Sequence, residues 1–202
     1  NSAGVIMLEG KKVLLVITGG IAAYKSLELI RLLQISKASV VPVMTKSAQQ
    51  FLKPLSVAAI AGSKVYTELF DLTAESEMGH IELSRSADII LVAPASADFL
   101  SKMAQGICDD LATTILLATD TQVLVAPSMN VRMWHHPATQ RNMHAINSDG
   151  IFTIGPNEGD MACGEFGHGR MAEPAEITTF LDNYFKVGPL SGKRIIVTSG
   201  TT

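Results

Sequence analysis

Residues 12–18 (KVLLVIT) close on Gly19-Gly20, and Ala23, Leu27, Ile30 and Leu33 then recur at helical spacing. A run of β-branched residues and leucines with no apolar-polar alternation must be covered on both faces, as in an inner strand of a parallel sheet. The apolar spacing after the glycines predicts a helix packed back onto that strand, fed directly by the turn. This strand, glycine turn and helix commit the chain to an α/β architecture.

Further segments extend the pattern. Residues 39–44 (SVVPVM) are a second strand, in which Pro42 cannot donate to a ladder and argues against a central place. Residues 54–61 read as a helix with proline at an early position. Residues 88–93 (DIILVA) and 122–126 (QVLVA) are short buried runs, each ending in a proline followed by small or polar residues. Between them, 96–105 and 110–119 are helical, with Ser96 and Asp110 as N-caps. Residues 151–154 form a last short strand. Ile177, Phe180, Leu181, Tyr184 and Phe185 mark one apolar face of a closing helix. Strands alternating with helices predict a doubly wound parallel sheet with helices on both faces, whose ligands bind beyond the carboxyl ends of the strands. Three loops end such strands: Gly19-Gly20, residues 94–98 (PASAD) and residues 127–130 (PSMN). Residues 1–187 are thus expected to form one domain, 188–193 (GPLSGK) a linker, and 194–202 the start of another domain.

With 47% hydrophobic and 17% charged residues, the 202-residue chain has the material for a large core. Its net charge of -3 and lack of long basic runs disfavour nucleic acid and anionic membranes and favour a small-molecule partner. No apolar stretch reaches the roughly 20 residues that span a bilayer, and the first residues lack a secretory pattern, so the expected location is the cytoplasm. Cys108 and Cys163 are too few for a disulfide framework and lack metal-site spacing. No metal is expected.

Residues 19–23 (GGIAA) let backbone N–H groups approach an anion at a helix start. The spacing fails the dinucleotide pattern G-x-G-x-x-G, so a mononucleotide phosphate fits better. Thr45 and Ser47, after the second strand, offer hydroxyl donors to that phosphate or act as helix caps. His80, in residues 78–83 (MGHIEL), is a base or a plain surface histidine. Asn130 holds a carboxylate without adding charge, or caps a helix. Residues 159–171 (GDMACGEFGHGRM) carry too many glycines for a strand or helix and read as a lid, on which Cys163 could protonate a carbanion. Cys108 reads as a packed thiol.

Five segments occur together and in order: GGIAAYK (19–25), GHIELS (79–84), APASAD (93–98), APSMN (126–130) and ACGEFGHGRM (162–171). In this set the chain resembles the homo-oligomeric flavin-containing cysteine decarboxylases, and within them the decarboxylase half of the bacterial bifunctional coenzyme A enzymes. The resemblance implies a Rossmann-like, flavodoxin-like fold and an FMN cofactor. Gly19, Gly20, Ile21, Thr45 and Ser47 would hold the FMN phosphate, and Ser96, Ala97, Asp98, Ser128 and Met129 would complete the flavin pocket. Asp98 stands where the family often has asparagine. The implied activity is decarboxylation of 4'-phosphopantothenoyl-cysteine to 4'-phosphopantetheine through a thioaldehyde and an enethiol. His80, Asn130 and Cys163 would be catalytic, with Asn130 and Cys163 also binding substrate. Residues 192–202 resemble the opening of a fused phosphopantothenate–cysteine ligase. The family forms trimers, which in fused bacterial members assemble into dodecamers. A peptidyl-cysteine decarboxylase and a non-catalytic flavin-binding regulatory subunit are the alternatives on the same scaffold.

Overall fold

The computed structural model describes residues 7–68 and 76–187. The linker and second-domain segments expected over 188–202 lie outside them.

β1 (Lys12–Ile17) leads through a 3-10 turn (Ile21–Tyr24) into α1 (Lys25–Ile35). The predicted direct entry from glycine turn to helix is thus corrected by one turn of tighter winding. β2 (Ser39–Met44), a second 3-10 turn (Ala48–Gln50) and α2 (Pro54–Ala61) follow. α3 (Ser76–Arg85) runs into β3 (Ile89–Ala95), then α4 (Ala97–Gln105), α5 (Leu111–Ala118) and β4 (Val123–Pro127). The short α6 (Val131–His135), α7 (Pro137–Ser148) and β5 (Phe152–Thr153) come next. β6 (Asn157–Asp160) and β7 (Phe166–Arg170) pair antiparallel, and α8 (Pro174–Val187) ends the described chain.

The five strands β1 to β5 form one parallel sheet in the order β2-β1-β3-β4-β5. This doubly wound, flavodoxin-like order reverses direction at β1, so the crevice beyond the carboxyl ends of β1 and β3 is its topological switch point. The unbroken apolar character of β1 is explained by its two faces. Val13, Leu15 and Ile17 pack with Leu29, Ile30 and Leu33 of α1 and with Ile177 and Leu181 of α8. Leu14 and Val16 pack on the other side with Leu100, Leu111, Ile115 and Ile146 from α4, α5 and α7. Fully burying each such side chain contributes about 1.5–3 kcal/mol.

Pro42 lies in β2 at the border of the sheet, as its missing donor requires. Its carbonyl accepts from Tyr66 N–H at 3.0 Å on the side away from β1. A residue's N–H and C=O point the same way along a strand, so the absent donor also faces outward and no ladder bond is lost. The predicted caps are in place: Ser96 Oγ accepts from Phe99 N–H, and Asp110 forms a reciprocal capping box with Thr113.

Two expectations fail. The glycine-rich segment read as neither strand nor helix is the β6–β7 hairpin, with Glu158 opposite His168 and Gly159 opposite Gly167. Its glycines serve close approach: a side chain at Gly169 would run into the Met129 carbonyl, and a Cβ at Gly167 would lie 2.6 Å from Val131 Cγ2. Cys108, read as packed, is exposed, because the segment joining α4 to α5 runs over the surface. Among the described residues, no helix is long and apolar enough to cross a membrane.

Candidate active site

The carboxyl edge of the sheet gathers the three predicted loops. Thr18, at the end of β1, donates from Oγ1 to the Pro94 carbonyl at 2.6 Å and accepts from Ser96 N–H at 2.9 Å. One buried hydroxyl thereby fixes the glycine turn against the loop after β3. The loop after β2 arrives through Gly19, where a Cβ would lie only 2.5 Å from Ser47 Cβ. Glycine is required there by contact, and Gly20 by its conformation (φ 149°). The N–H groups of residues 20–22 precede the first bond of the 3-10 turn, from Ala23 N–H to Gly20 O, and are the donors a helix start leaves over.

The other predicted pocket residues are placed more precisely. Thr45 Oγ1 accepts from Ala48 N–H at 3.1 Å and so holds the first residue of the second 3-10 turn, whose cap position, Ser47, makes no side-chain capping bond. Asp98 points its carboxylate along α4 to Lys102, 3.5 Å away. Burial lowers the pKa of Lys102, but the Asp109 hydrogen bond and the charges of Asp98, Asp109 and Asp110 prevail and hold it above the usual lysine value. Ser128 N–H donates to Ala95 O at 3.0 Å and Met129 N–H to Gly169 O at 2.9 Å. Neither amide is left for a ligand, which limits these two residues to carbonyl and side-chain contacts.

Asn130 caps a helix, and its amide meets a carboxylate of the protein's own. Its Oδ1 accepts from Arg132 N–H at 2.8 Å, capping α6. Its Nδ2 reaches the hairpin, donating to Glu165 Oε2 at 2.5 Å and lying 3.4 Å from Cys163 Sγ. Two predicted residues far apart in sequence therefore meet. The hairpin is fixed there by the Met129–Gly169 bond, and its far end is anchored beneath the first glycine turn. Lys25, with a side chain only 8% exposed, pairs with Glu173 at 2.8 Å, and Arg170 stands 3.7 Å from the same carboxylate oxygen.

His80 is on α3, a helix to which the sequence reading assigned no element. α3 leads into the parallel strand β3 and runs back against it, which turns its start towards the carboxyl edge, and His80, the fifth residue of α3, lies about 6 Å along the axis from the first. Glu165 and Arg132 were missed. Glu165 Oε1 pairs with Arg132 Nε at 3.1 Å, and Cys163 Sγ is 3.6 Å from Oε2. Glu165 stood inside a quoted segment, but a single acid among glycines carries no spacing signal.

Residues 5–186 match a family profile described as Flavoprotein. The chain belongs to the flavoprotein family. This flavoprotein is 47% identical over 196 residues, or 96% of its length, to the coenzyme A biosynthesis bifunctional protein CoaBC of Haemophilus influenzae. It is 42% identical over 199 residues to the protein of the same name from Bacillus subtilis. The chain spans about half the length of these curated relatives, 49% in each case. Among solved structures it resembles a Cys-to-Ser mutant of PPC decarboxylase complexed with pantothenoylaminoethenethiol. That likeness has a TM-score of 0.76 and 36% identity, covering 87% of this chain and 98% of that one. The FMN-binding protein AtHal3 matches with a TM-score of 0.78 and 36% identity, covering 88% and 98%.

Proposed function

We propose that this flavoprotein uses FMN, bound at the carboxyl edge of its sheet, to decarboxylate 4'-phosphopantothenoyl-cysteine to 4'-phosphopantetheine in coenzyme A biosynthesis. The observation that carries the reading is the meeting of Cys163 Sγ with Asn130 Nδ2 at 3.4 Å, beside the loops that would hold the cofactor. An acid and a neutral carboxylate receptor side by side suit a substrate that loses a carboxylate and must then be protonated. The likeness to CoaBC, PPC decarboxylase and AtHal3 supports the same substrate and cofactor.

The residues present fit a flavin mononucleotide. The Gly19–Ser47 contact forms a tight cradle in which Gly19, Gly20, Ile21, Thr45 and Ser47 would hold the phosphate. The main chain of Ser96, Ala97 and Asp98, and the carbonyls and side chains of Ser128 and Met129, would line the ring. When bound, FMN supplies a two-electron acceptor and donor for the cysteine moiety of the substrate.

His80 accepts the proton released as the cysteine moiety is oxidised to a thioaldehyde. Asn130 donates to the substrate carboxylate and orients the bond that breaks, and carbon dioxide leaves to give the enethiol. Cys163 then gives its Sγ–H proton to the enethiol carbon as the electrons return. In the same reading residues 188–193 are a linker and 194–202 open a fused ligase domain, supported by the double length of the CoaBC relatives. The protein is cytoplasmic and homo-oligomeric, in trimers or dodecamers. Exposed Ile21, Tyr24, Phe51 and Leu55, on segments following the first two strands, support self-association.

The test separates the two half-reactions. Purified protein should be yellow and release FMN. Cys163→Ser should still liberate carbon dioxide and accumulate enethiol, whereas His80→Asn should fail before decarboxylation. Each lost proton transfer should cost about 10²- to 10⁴-fold in its own step. Colourless protein that refuses added flavin, or equal loss of both steps in both variants, rejects the assignment.

A further inference from the structure

Asn130 has every polar group of its side chain engaged. Its oxygen accepts from Arg132 N–H, one amide hydrogen goes to Glu165 Oε2, and the nitrogen also faces Cys163 Sγ. Cys163 and Glu165 ride on one tight turn. Met161 N–H donates to Glu165 O at 2.8 Å, Gly164 N–H donates to Met161 O at 2.9 Å, and Gly164 is left-handed (φ 79°). A turn this tightly bonded carries its thiol and its carboxylate as a unit. Arg132, which grips the outer oxygen of Glu165, is 85% exposed and free to follow it.

If Asn130 receives the substrate carboxylate, a reading on which this inference rests, its seat is already filled by a carboxylate of the protein's own. We propose that Glu165 is a positioning residue that works by carboxylate exchange. The substrate carboxylate displaces Glu165 from Asn130 and moves the turn, with Cys163, aside. Decarboxylation then removes the competitor: an ionised acceptor holds the amide strongly, and neutral carbon dioxide does not. Glu165 returns to Asn130, and its return delivers the Cys163 thiol to the enethiol. The proton is thereby presented after the carbon–carbon bond has broken.

Calorimetric titration of the FMN-loaded protein tests this with two inert probes. 4'-Phosphopantothenoyl-serine keeps the carboxylate and lacks the oxidisable thiol, and its decarboxylated ethanolamine counterpart lacks both. Both carry the phosphate, so relief of repulsion at that group would act on each alike, and Glu165→Gln, which removes the charge but keeps an acceptor for Asn130, separates relief of repulsion at the carboxylate from loss of the hydrogen bond. Glu165→Ala should bind the serine probe more tightly by roughly tenfold or more, the equilibrium worth of a charge-assisted hydrogen bond that no longer has to be broken, and Glu165→Gln, whose amide oxygen still accepts from Asn130 without charge, should gain less. Binding of the ethanolamine probe should not change. In turnover with the true substrate, the fraction escaping as enethiol should rise in both variants, because the thiol is no longer drawn back.

Unchanged or weaker binding of the serine probe, an equal gain for both probes, a gain no larger in Glu165→Ala than in Glu165→Gln, or an unchanged enethiol fraction overturns the exchange. Glu165 is a half-buried residue near the hairpin tip, so both variants are expected to fold, which the flavin spectrum and circular dichroism check. Asn130→Ala decides the underlying reading separately. If it still discriminates between the probes as the unmodified protein does, Asn130 is not the carboxylate seat, whatever Glu165 does.

Discussion

Asn130 uses its oxygen to cap α6 and its nitrogen to face the hairpin, so the two roles can be separated by substitution. Asn130→Asp keeps an acceptor for Arg132 N–H but replaces the donor with a carboxylate directed at Glu165. The cap is kept, but two carboxylates then face each other, so thermal stability should fall by about 1 kcal/mol, while kcat/KM for the cysteine conjugate falls by at least the factor that about 1.5–3 kcal/mol of lost charge-assisted hydrogen bonding represents. Gly169 is constrained from two sides, by its φ of 156° and by the Met129 carbonyl against it. Gly169→Ala should cost about 1–3 kcal/mol in backbone strain alone. It should also lift the hairpin from the β4 loop, so that enethiol accumulates as it does in Cys163→Ser. Product analysis alongside a melting curve checks both effects. At this scale the sequence disclosed Asn130 and Cys163 through their flanking segments, but not Glu165. What defines Glu165 is a contact across 35 residues, and nothing local marks it.

Elements were legible in proportion to how far local chemistry determined them. β1, β3 and β4 are continuous apolar runs because both faces are covered, and α5 announces its start with Asp110. The hairpin was misread because glycine normally weakens a strand, whereas these glycines are set by the backbone they lie against, a tertiary cause. α3 was missed for a related reason: Gly79 interrupts the pattern, and its apolar face is narrow. α8 carries a pH-sensitive contact. Asp182 accepts from Lys186 at 2.6 Å and from Met7 N–H at 2.9 Å. The Lys186 hydrogen bond chiefly, with Met7 adding to it against burial, lowers its carboxyl below the ordinary 3.8. A depressed carboxyl stabilises the folded state fully above the ordinary value and loses that contribution as pH falls through the lowered one. Asp182→Asn should therefore cost about 1 kcal/mol at neutral pH. Denaturant titrations at falling pH should show the gap narrowing below 3.8 and closing once the native carboxyl is protonated.

At the scale of the molecule, the two cores share the sheet, and β1 serves both. Leu15→Ala should cost about 2–5 kcal/mol, since α1 and α8 are held by other contacts and cannot collapse into the space. Chemical denaturation would measure it, and a loss under 1 kcal/mol would contradict the tight packing described. The doubly wound order could be anticipated because each strand–helix unit encodes its own half of the core. The meeting of three loops at one edge followed from topology alone.

Among the described residues neither margin of this sheet presents a long free edge. On one side β2 turns the bare nitrogen of Pro42 outward, with the Tyr66 backbone already taking the neighbouring positions; on the other, β5 offers only two residues. Among the described residues the ladder offers copies of this chain little to extend, which favours assembly through helix and loop surfaces, whose fit is selective in a way a generic run of amides is not.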